Sequence, residues 1–217
     1  LKIWAIVGDS KSGKTKLIRQ LVPEFKKRGY SVAVIKHCSK GFDLDKKGKD
    51  SWKFVESGAD GVAMLSPDQL ALIQRKKERV NLDGVARDFF KDMDIVLIEG
   101  GKQETNLKKI EVLGQGVAEK LESPLEELEA IVSDKKMSLP KPVFRPHQIS
   151  QIADFLESKL EGNEPCVFLD VDGASIRLNP FVHKIFENVL WGMVKSLQGI
   201  KENAQRMTLS LIRRDKR

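Results

Sequence analysis

Along the first 160 residues, short apolar runs alternate with stretches in which apolar positions recur every three or four residues. Alternation of a strand period with a helix period predicts an α/β sheet carrying helices on its faces. Lys2 to Val7 reads as the first strand. From Lys14 to Arg28, the residues Leu17, Ile18, Leu21 and Phe25 share one helical face, and Gly29 supplies the stop. Ser31 to Lys36 is the second strand, the polar stretch Cys38 to Lys49 a long loop, and Asp50 to Ser57 a short helix. Val62 to Leu65 and Leu70 to Gln74, joined by Ser66-Pro67-Asp68, predict a hairpin that would break the otherwise parallel order. Asp94 to Ile98 is apolar enough for a central strand covered on both faces. Ile110 to Leu113, Ala130 to Ser133 and Val143-Phe144 are further strands. Gln148 to Leu160 is a helix with Ile149, Ile152, Phe155 and Leu156 as its stripe.

The rhythm changes across Glu161 to Pro165, a short linker. Beyond it, Val167, Leu169 and Val171 alternate with other residues up to a hairpin turn at Asp172-Gly173, and Ser175 to Leu178 returns. Asn179 and Pro180 then open a helix through Leu197, and Thr208 to Ile212 reads as a third strand. The apolar positions Phe181, Ile185, Val189, Met193 and Leu197 suit a small core or a dimer surface. Two domains are therefore expected, an α/β domain over residues 1–161 and a small α+β domain over 165–217.

Composition narrows the setting. No apolar run approaches the ~20 residues that cross a bilayer, so no membrane span is expected. Leu1 to Val7 is too short for a signal-peptide core and leads straight into a glycine loop, which points to the cytoplasm. Cys38 and Cys166, the only cysteines, are too few for a disulfide framework or a four-thiolate zinc site. The net charge of +7 would suit a polyanion. The lysines are scattered, however, and no arginine-aromatic platform for stacking bases is present, so a solvated surface is the simpler reading.

Candidate chemistry lies where the first strand meets the first helix. Gly8-Asp9-Ser10-Lys11-Ser12-Gly13-Lys14-Thr15 fits G-x-x-x-x-G-K-[ST], the phosphate loop of nucleotide-binding proteins. Gly8 allows the tight turn, and Gly13 lets backbone N–H groups approach phosphate oxygens at the positive end of the helix dipole. Lys14 would reach the β- and γ-phosphates, and the Thr15 hydroxyl would ligate Mg²⁺. Lys11 is a second positive charge in the loop, able either to touch phosphate or to point into solvent, and Lys16 follows directly. The expected fold is thus a P-loop NTPase-type three-layer sandwich, a mostly parallel sheet with an antiparallel hairpin, plus the small C-terminal domain.

Ligands of such sheets bind beyond the carboxyl ends of the strands, so Glu99 rather than Asp94 should face the phosphates. A carboxylate there can bind Mg²⁺ through water or orient an attacking water. His37, Cys38, Asp43, Asp45 and Asp50 gather on the loop after the second strand, as metal or second-ligand candidates or as structural residues. Asp45 joins Thr15 and Glu99 as a candidate Mg²⁺ ligand. No Ser-His-Asp or Cys-His nucleophile arrangement emerges.

Several stretches together resemble the molybdopterin-guanine dinucleotide biosynthesis adapter proteins, the MobB family. They are the phosphate-loop strand, Gly29 to His37, Phe42 to Trp52 with its F-D-x-D-x-x-G-K-D-S pattern, Gly58-Ala59-Asp60 and Ile98-Glu99-Gly100. The resemblance runs from Lys2 to about Leu160. It implies a GTP-binding protein with weak GTPase activity, usually a homodimer, that helps a partner enzyme attach GMP to molybdopterin. It further implies that Gly13, Lys14, Thr15 and Glu99 serve GTP and Mg²⁺, that Asp43, Asp45, Asp50 and Ser51 belong to the loop beside the site, and that Asp134 is placed to pair with the guanine edge. This chain departs from the family at Lys11, where glycine is common, at Lys16, where a second threonine is frequent, and at Cys38, where histidine is usual. Two other readings carry less. A metabolite kinase would need an arginine-rich lid, for which only Arg75 and Arg79 are near the hairpin, and a nucleic-acid-binding module would rest on the overall charge and the tail Arg213 to Arg217.

Overall fold

In a computed structural model of the protein, the described residues are 1–39, 41–42, 48–75, 81–114, 121–160, 167, 169–171, 174–176, 178–199, 207 and 209. The chain divides into two compact units, Leu1–Gly162 with Asp172–Ala174, and Asn163–Val171 with Ser175–Arg217.

The first unit is built on β1 (Lys2–Val7), α1 (Lys14–Lys27), β2 (Val32–Lys36), α2 (Asp50–Glu56), β3 (Gly61–Leu65), β4 (Leu70–Gln74), α3 (Leu82–Phe90), β5 (Ile95–Glu99), β6 (Lys108–Leu113), β7 (Leu128–Ser133), β8 (Val143–Phe144) and α4 (Ile149–Glu157). Six strands form one sheet in the order β2-β5-β1-β6-β7-β8, and every pairing in it is parallel. Residues of β1 are buried on both sides, as its apolar run requires. Trp4 and Ile6 pack with Leu17, Ile18, Leu21 and Phe25 of α1 and with Ile152 and Leu156 of α4. Ile3, Ala5 and Val7 face the other way, against Val96, Ile98, Leu107 and the Leu82 and Ala86 of α3. The result is three layers, helix, sheet and helix. Burial of each large apolar side chain in these layers contributes roughly 1.5–3 kcal/mol.

Several details differ from the sequence pattern. The β3–β4 hairpin does not interrupt the parallel sheet but stands as a two-stranded antiparallel sheet of its own. The α3 helix is absent from the expectation drawn above, although its signals are in the sequence: Asn81 accepts hydrogen bonds from the Asp83 and Gly84 N–H groups (3.1 and 3.3 Å) and caps the helix. The central strand begins at Ile95, one residue later than predicted, since Asp94 has a separate task. Its Oδ2 accepts both the N–H and the hydroxyl of Ser31, each at 2.7 Å, tying the start of β5 to the start of β2. The backbone hydrogen bond first, and the Ser31 hydroxyl second, hold the Asp94 carboxyl below its usual range. On the opposite layer boundary, Arg28 at the end of α1 pairs with Glu24, Asp154 and Glu157, and Tyr30 donates to Glu157 at 2.7 Å, locking α1 to α4.

The second unit contains β9 (Leu169–Val171), β10 (Ala174–Ile176) and α5 (Pro180–Lys195), with β9 and β10 forming a two-stranded sheet. Asn179 caps α5 by accepting from the Val182 N–H at 2.9 Å, as its position before Pro180 predicts. His183 Nε2 accepts from the Val167 N–H at 2.8 Å, joining α5 to a position two residues before β9. The strand expected over Thr208 to Ile212 lies almost entirely outside the described residues.

Candidate phosphate-binding site

β1 delivers the chain into a turn that only glycine can begin. Gly8 has φ of 134°, and a Cβ there would lie 2.2 Å from the carbonyl oxygen of Val112 on β6, far inside contact distance. The turn ends at Gly13, whose φ of 106° lets it cap α1 with no side-chain hydrogen bond. The backbone N–H groups of Gly13, Lys14, Thr15 and Lys16 consequently have no hydrogen-bond acceptor among the described residues, and they cluster at the positive end of a 14-residue helix. Between the two glycines, Lys11 adopts φ of 64°, a left-handed conformation that favours glycine over lysine. Asp9, Ser10 and Lys11 are exposed on the rim of the loop.

Two observations fit this loop to an anion. The Ser12 hydroxyl is buried without a hydrogen-bond partner among the described residues, an orphan that an incoming group can satisfy. The Lys14 ammonium lies across the loop, donating to the carbonyls of Gly8 (2.8 Å) and Asp9 (2.5 Å), which leaves a further N–H for a ligand.

Glu99 ends β5, the strand beside β1, and its carboxylate meets the loop: Thr15 Oγ1 donates to Glu99 Oε1 at 2.7 Å. A hydroxyl and a carboxylate brought together are the hard oxygen donors that Mg²⁺ takes, one or two from protein and the rest from phosphate and water. Among the described residues, no group of three or more His, Cys, Asp or Glu side chains could hold a metal by themselves. The donor set therefore suits a cation held jointly with a phosphate. Lys36 Nζ stands 4.0 Å from the same Glu99 oxygen.

The remaining candidates are dispersed. His37 and Cys38 follow β2 at the same carboxyl edge, where the His37 N–H donates to the Glu99 carbonyl at 3.0 Å, but their side chains join no ligand cluster among the described residues. Asp50 opens α2, exposed and paired with Lys53 at 3.0 Å. Asp43 and Asp45 lie outside the described residues. Asp134 is exposed just beyond β7, again on the carboxyl edge, two strands from β1. Asp94 sits at the other end of its strand, away from the loop. Arg75 donates to the Val55 carbonyl at 3.0 Å, while Arg79 and the basic tail Arg213 to Arg217 lie outside the described residues.

Sequence reasoning overlooked two features. One is Lys36, whose alignment with Glu99 follows from the β2–β5 pairing and is invisible without the strand order. The other is a pair of buried charges on β6. Lys109 is paired with Glu127 at 2.5 Å and donates to the Lys102 carbonyl at 2.7 Å, and Glu111 accepts from the N–H groups of Glu122 (2.7 Å) and Ser123 (3.0 Å). These contacts fasten the 121–127 segment over the sheet, and they explain why β6 begins at Lys108 in a stretch too charged to read as buried strand.

A glycine-bounded loop with free amides on the central strand of a three-layer parallel sheet, faced by an acid from the neighbouring strand, defines a P-loop nucleotide-binding protein. Within that class the chain belongs to the MobB family, described as molybdopterin guanine dinucleotide synthesis protein B, whose sequence profile matches residues 3–134. The molybdopterin-guanine dinucleotide biosynthesis adapter protein of Haemophilus influenzae is 34% identical over 161 residues, covering 74% of this chain and 90% of that protein. The putative adapter protein of Methanocaldococcus jannaschii is 23% identical over 223 residues, covering 92% of this chain and 93% of its own length, so its match runs into the second unit. A crystal structure of molybdopterin-guanine biosynthesis protein B superposes with a TM-score of 0.58 at 33% identity, over 74% of this chain and 99% of that one. Bacillus subtilis MobB matches with a TM-score of 0.58 at 25% identity, over 75% and 100%.

Proposed function

We propose that this chain is a GTP-binding adapter of molybdenum cofactor biosynthesis, cytoplasmic and at most a weak GTPase, that assists a partner enzyme in attaching GMP to molybdopterin. Family membership and the relatives' names support the pathway. The observation that carries the nucleotide role is the Thr15–Glu99 hydrogen bond of 2.7 Å at the mouth of a loop with free amides. In this reading the backbone of Gly8, Asp9, Ser10, Lys11, Ser12 and Gly13, with Lys14 and Lys16, holds the phosphates. Thr15 and Glu99, joined by Asp45, would hold Mg²⁺, which when bound neutralises charge between the β- and γ-phosphates. Glu99 also orients water for slow hydrolysis. Asp134 accepts hydrogen bonds from the N–H donors of guanine, a role supported by its place on the same edge of the sheet.

A homodimer is part of the proposal. Met64, Leu65, Leu70 and Leu72 of the hairpin are exposed, an apolar surface that a second copy would cover. No helix among the described residues is long and apolar enough to cross a membrane. We place the domain boundary between residues 161 and 165, with 1–161 as the nucleotide-binding domain and 165–217 as the appended one.

The test is competition between GTP and ATP for the wild-type protein, Lys14→Ala and Glu99→Gln, with and without molybdopterin. GTP should win for the wild type, Lys14→Ala should bind neither nucleotide, and Glu99→Gln should bind GTP but hydrolyse it more slowly. Equal GTP binding by wild type and Lys14→Ala refutes the reading.

A further inference from the structure

Glu99 Oε1 stands 2.7 Å from the Thr15 hydroxyl and 4.0 Å from the Lys36 ammonium. The second contact is set by the sheet. β2 and β5 pair in parallel with Lys36 opposite Glu99, so the two Cα atoms stand side by side at the carboxyl edge. The two side chains are unequally held: Glu99 is only 15% exposed and fixed by Thr15, whereas Lys36 is 64% exposed on the outermost strand. Its long, flexible stem lets the ammonium swing while the carboxylate stays.

We infer that Lys36 is a specificity-determining residue that reads the terminal phosphate of a nucleoside triphosphate. The inference rests on the nucleotide reading above. The Lys36 ammonium lies beside Glu99 as a loosely held counter-charge. A divalent cation sharing the Thr15 and Glu99 oxygens carries the same sign of charge as Lys36, and two cations cannot both crowd one carboxylate oxygen without repulsion. With Thr15 and Glu99 holding such a cation, the ammonium would be free to pair with the terminal phosphate of a bound triphosphate. A nucleoside diphosphate presents no γ-phosphate. Lys36 thereby couples the presence of the third phosphate to the state of Glu99, adding a second cation to the β- and γ-phosphate contacts of Lys14.

A surface lysine with no such role is the competing account, since exposed ion pairs contribute little by themselves. The experiment measures equilibrium affinity for fluorescent mant-GTP and mant-GDP, with Mg²⁺ present, in wild type, Lys36→Met and Lys36→Arg. Loss of one charge-assisted contact should weaken mant-GTP binding by roughly tenfold in Lys36→Met while mant-GDP stays within about twofold. Lys36→Arg should recover most of the mant-GTP affinity, because it keeps the charge. Unchanged affinities, or equal weakening toward both nucleotides, overturn the inference and leave the nucleotide reading standing. A wild-type protein that binds neither nucleotide overturns both.

Discussion

Two helices of this protein, α1 and α5, carry equally regular apolar stripes and meet opposite fates. In α1, Leu17, Ile18, Leu21 and Phe25 are all buried against the sheet and α4. In α5 no residue is buried: Phe181, Ile185, Val189 and Met193 are exposed, as is Leu197 beyond the helix end, and it is the neighbouring row of Val182, Phe186, Leu190 and Val194 that is partly covered. Periodicity therefore announces a helix, but which row is covered, and how completely, depends on what else packs there. For α1 the covering surface is a six-stranded sheet whose apolar run is already in the sequence. The second unit contributes only two three-residue strands among its described residues. Burial sets how much each stripe can contribute, since a small unit removes little apolar surface from water.

The sharpest way to break this comparison is to truncate one aromatic in each helix. Phe25→Ala, at a fully buried site, should lower the stability of the main unfolding transition by about 3–5 kcal/mol. Phe181→Ala, at a site 74% exposed, should change it by less than about 0.5 kcal/mol. Chemical denaturation of the two variants measures both, and a large loss for Phe181→Ala would mean that its row is covered after all. A smaller effect sharpens the comparison from the other side. Helix caps are local, so Asn81→Ala and Asn179→Ala should each destabilise their own helix by about 1 kcal/mol whatever the depth of packing behind it. Amide hydrogen exchange in α3 and α5 reads each loss separately. Unequal losses would show that capping depends on tertiary context here.

The same contrast explains what was legible in advance. The order of strands and helices through the first unit, α3 apart, and the glycine-bounded turn before α1 follow from local pattern, because strand, glycine turn and amphipathic helix are written consecutively; the place of Glu99 at the carboxyl end of its strand follows from the apolar run before it. The pairing of Lys36 with Glu99 spans two strands distant in sequence and was not legible. Nor were the buried Lys109 and Glu111, whose tolerance depends on partners at Glu127, Glu122 and Ser123 that arrive from a later segment. The hairpin was legible as a pair of strands, but its separation from the main sheet is set by long-range pairing that local pattern does not carry.

The central claim, that the free amides from Gly13 to Lys16 receive a nucleotide's phosphates, is tested most directly by backbone amide NMR during titration with GTP and Mg²⁺. The account predicts that the largest shifts fall on Gly13, Lys14, Thr15 and Lys16, with Glu99 and Gly100 moving at the same ligand concentration. Saturable GTP binding that leaves those amides unmoved and shifts resonances elsewhere would contradict it.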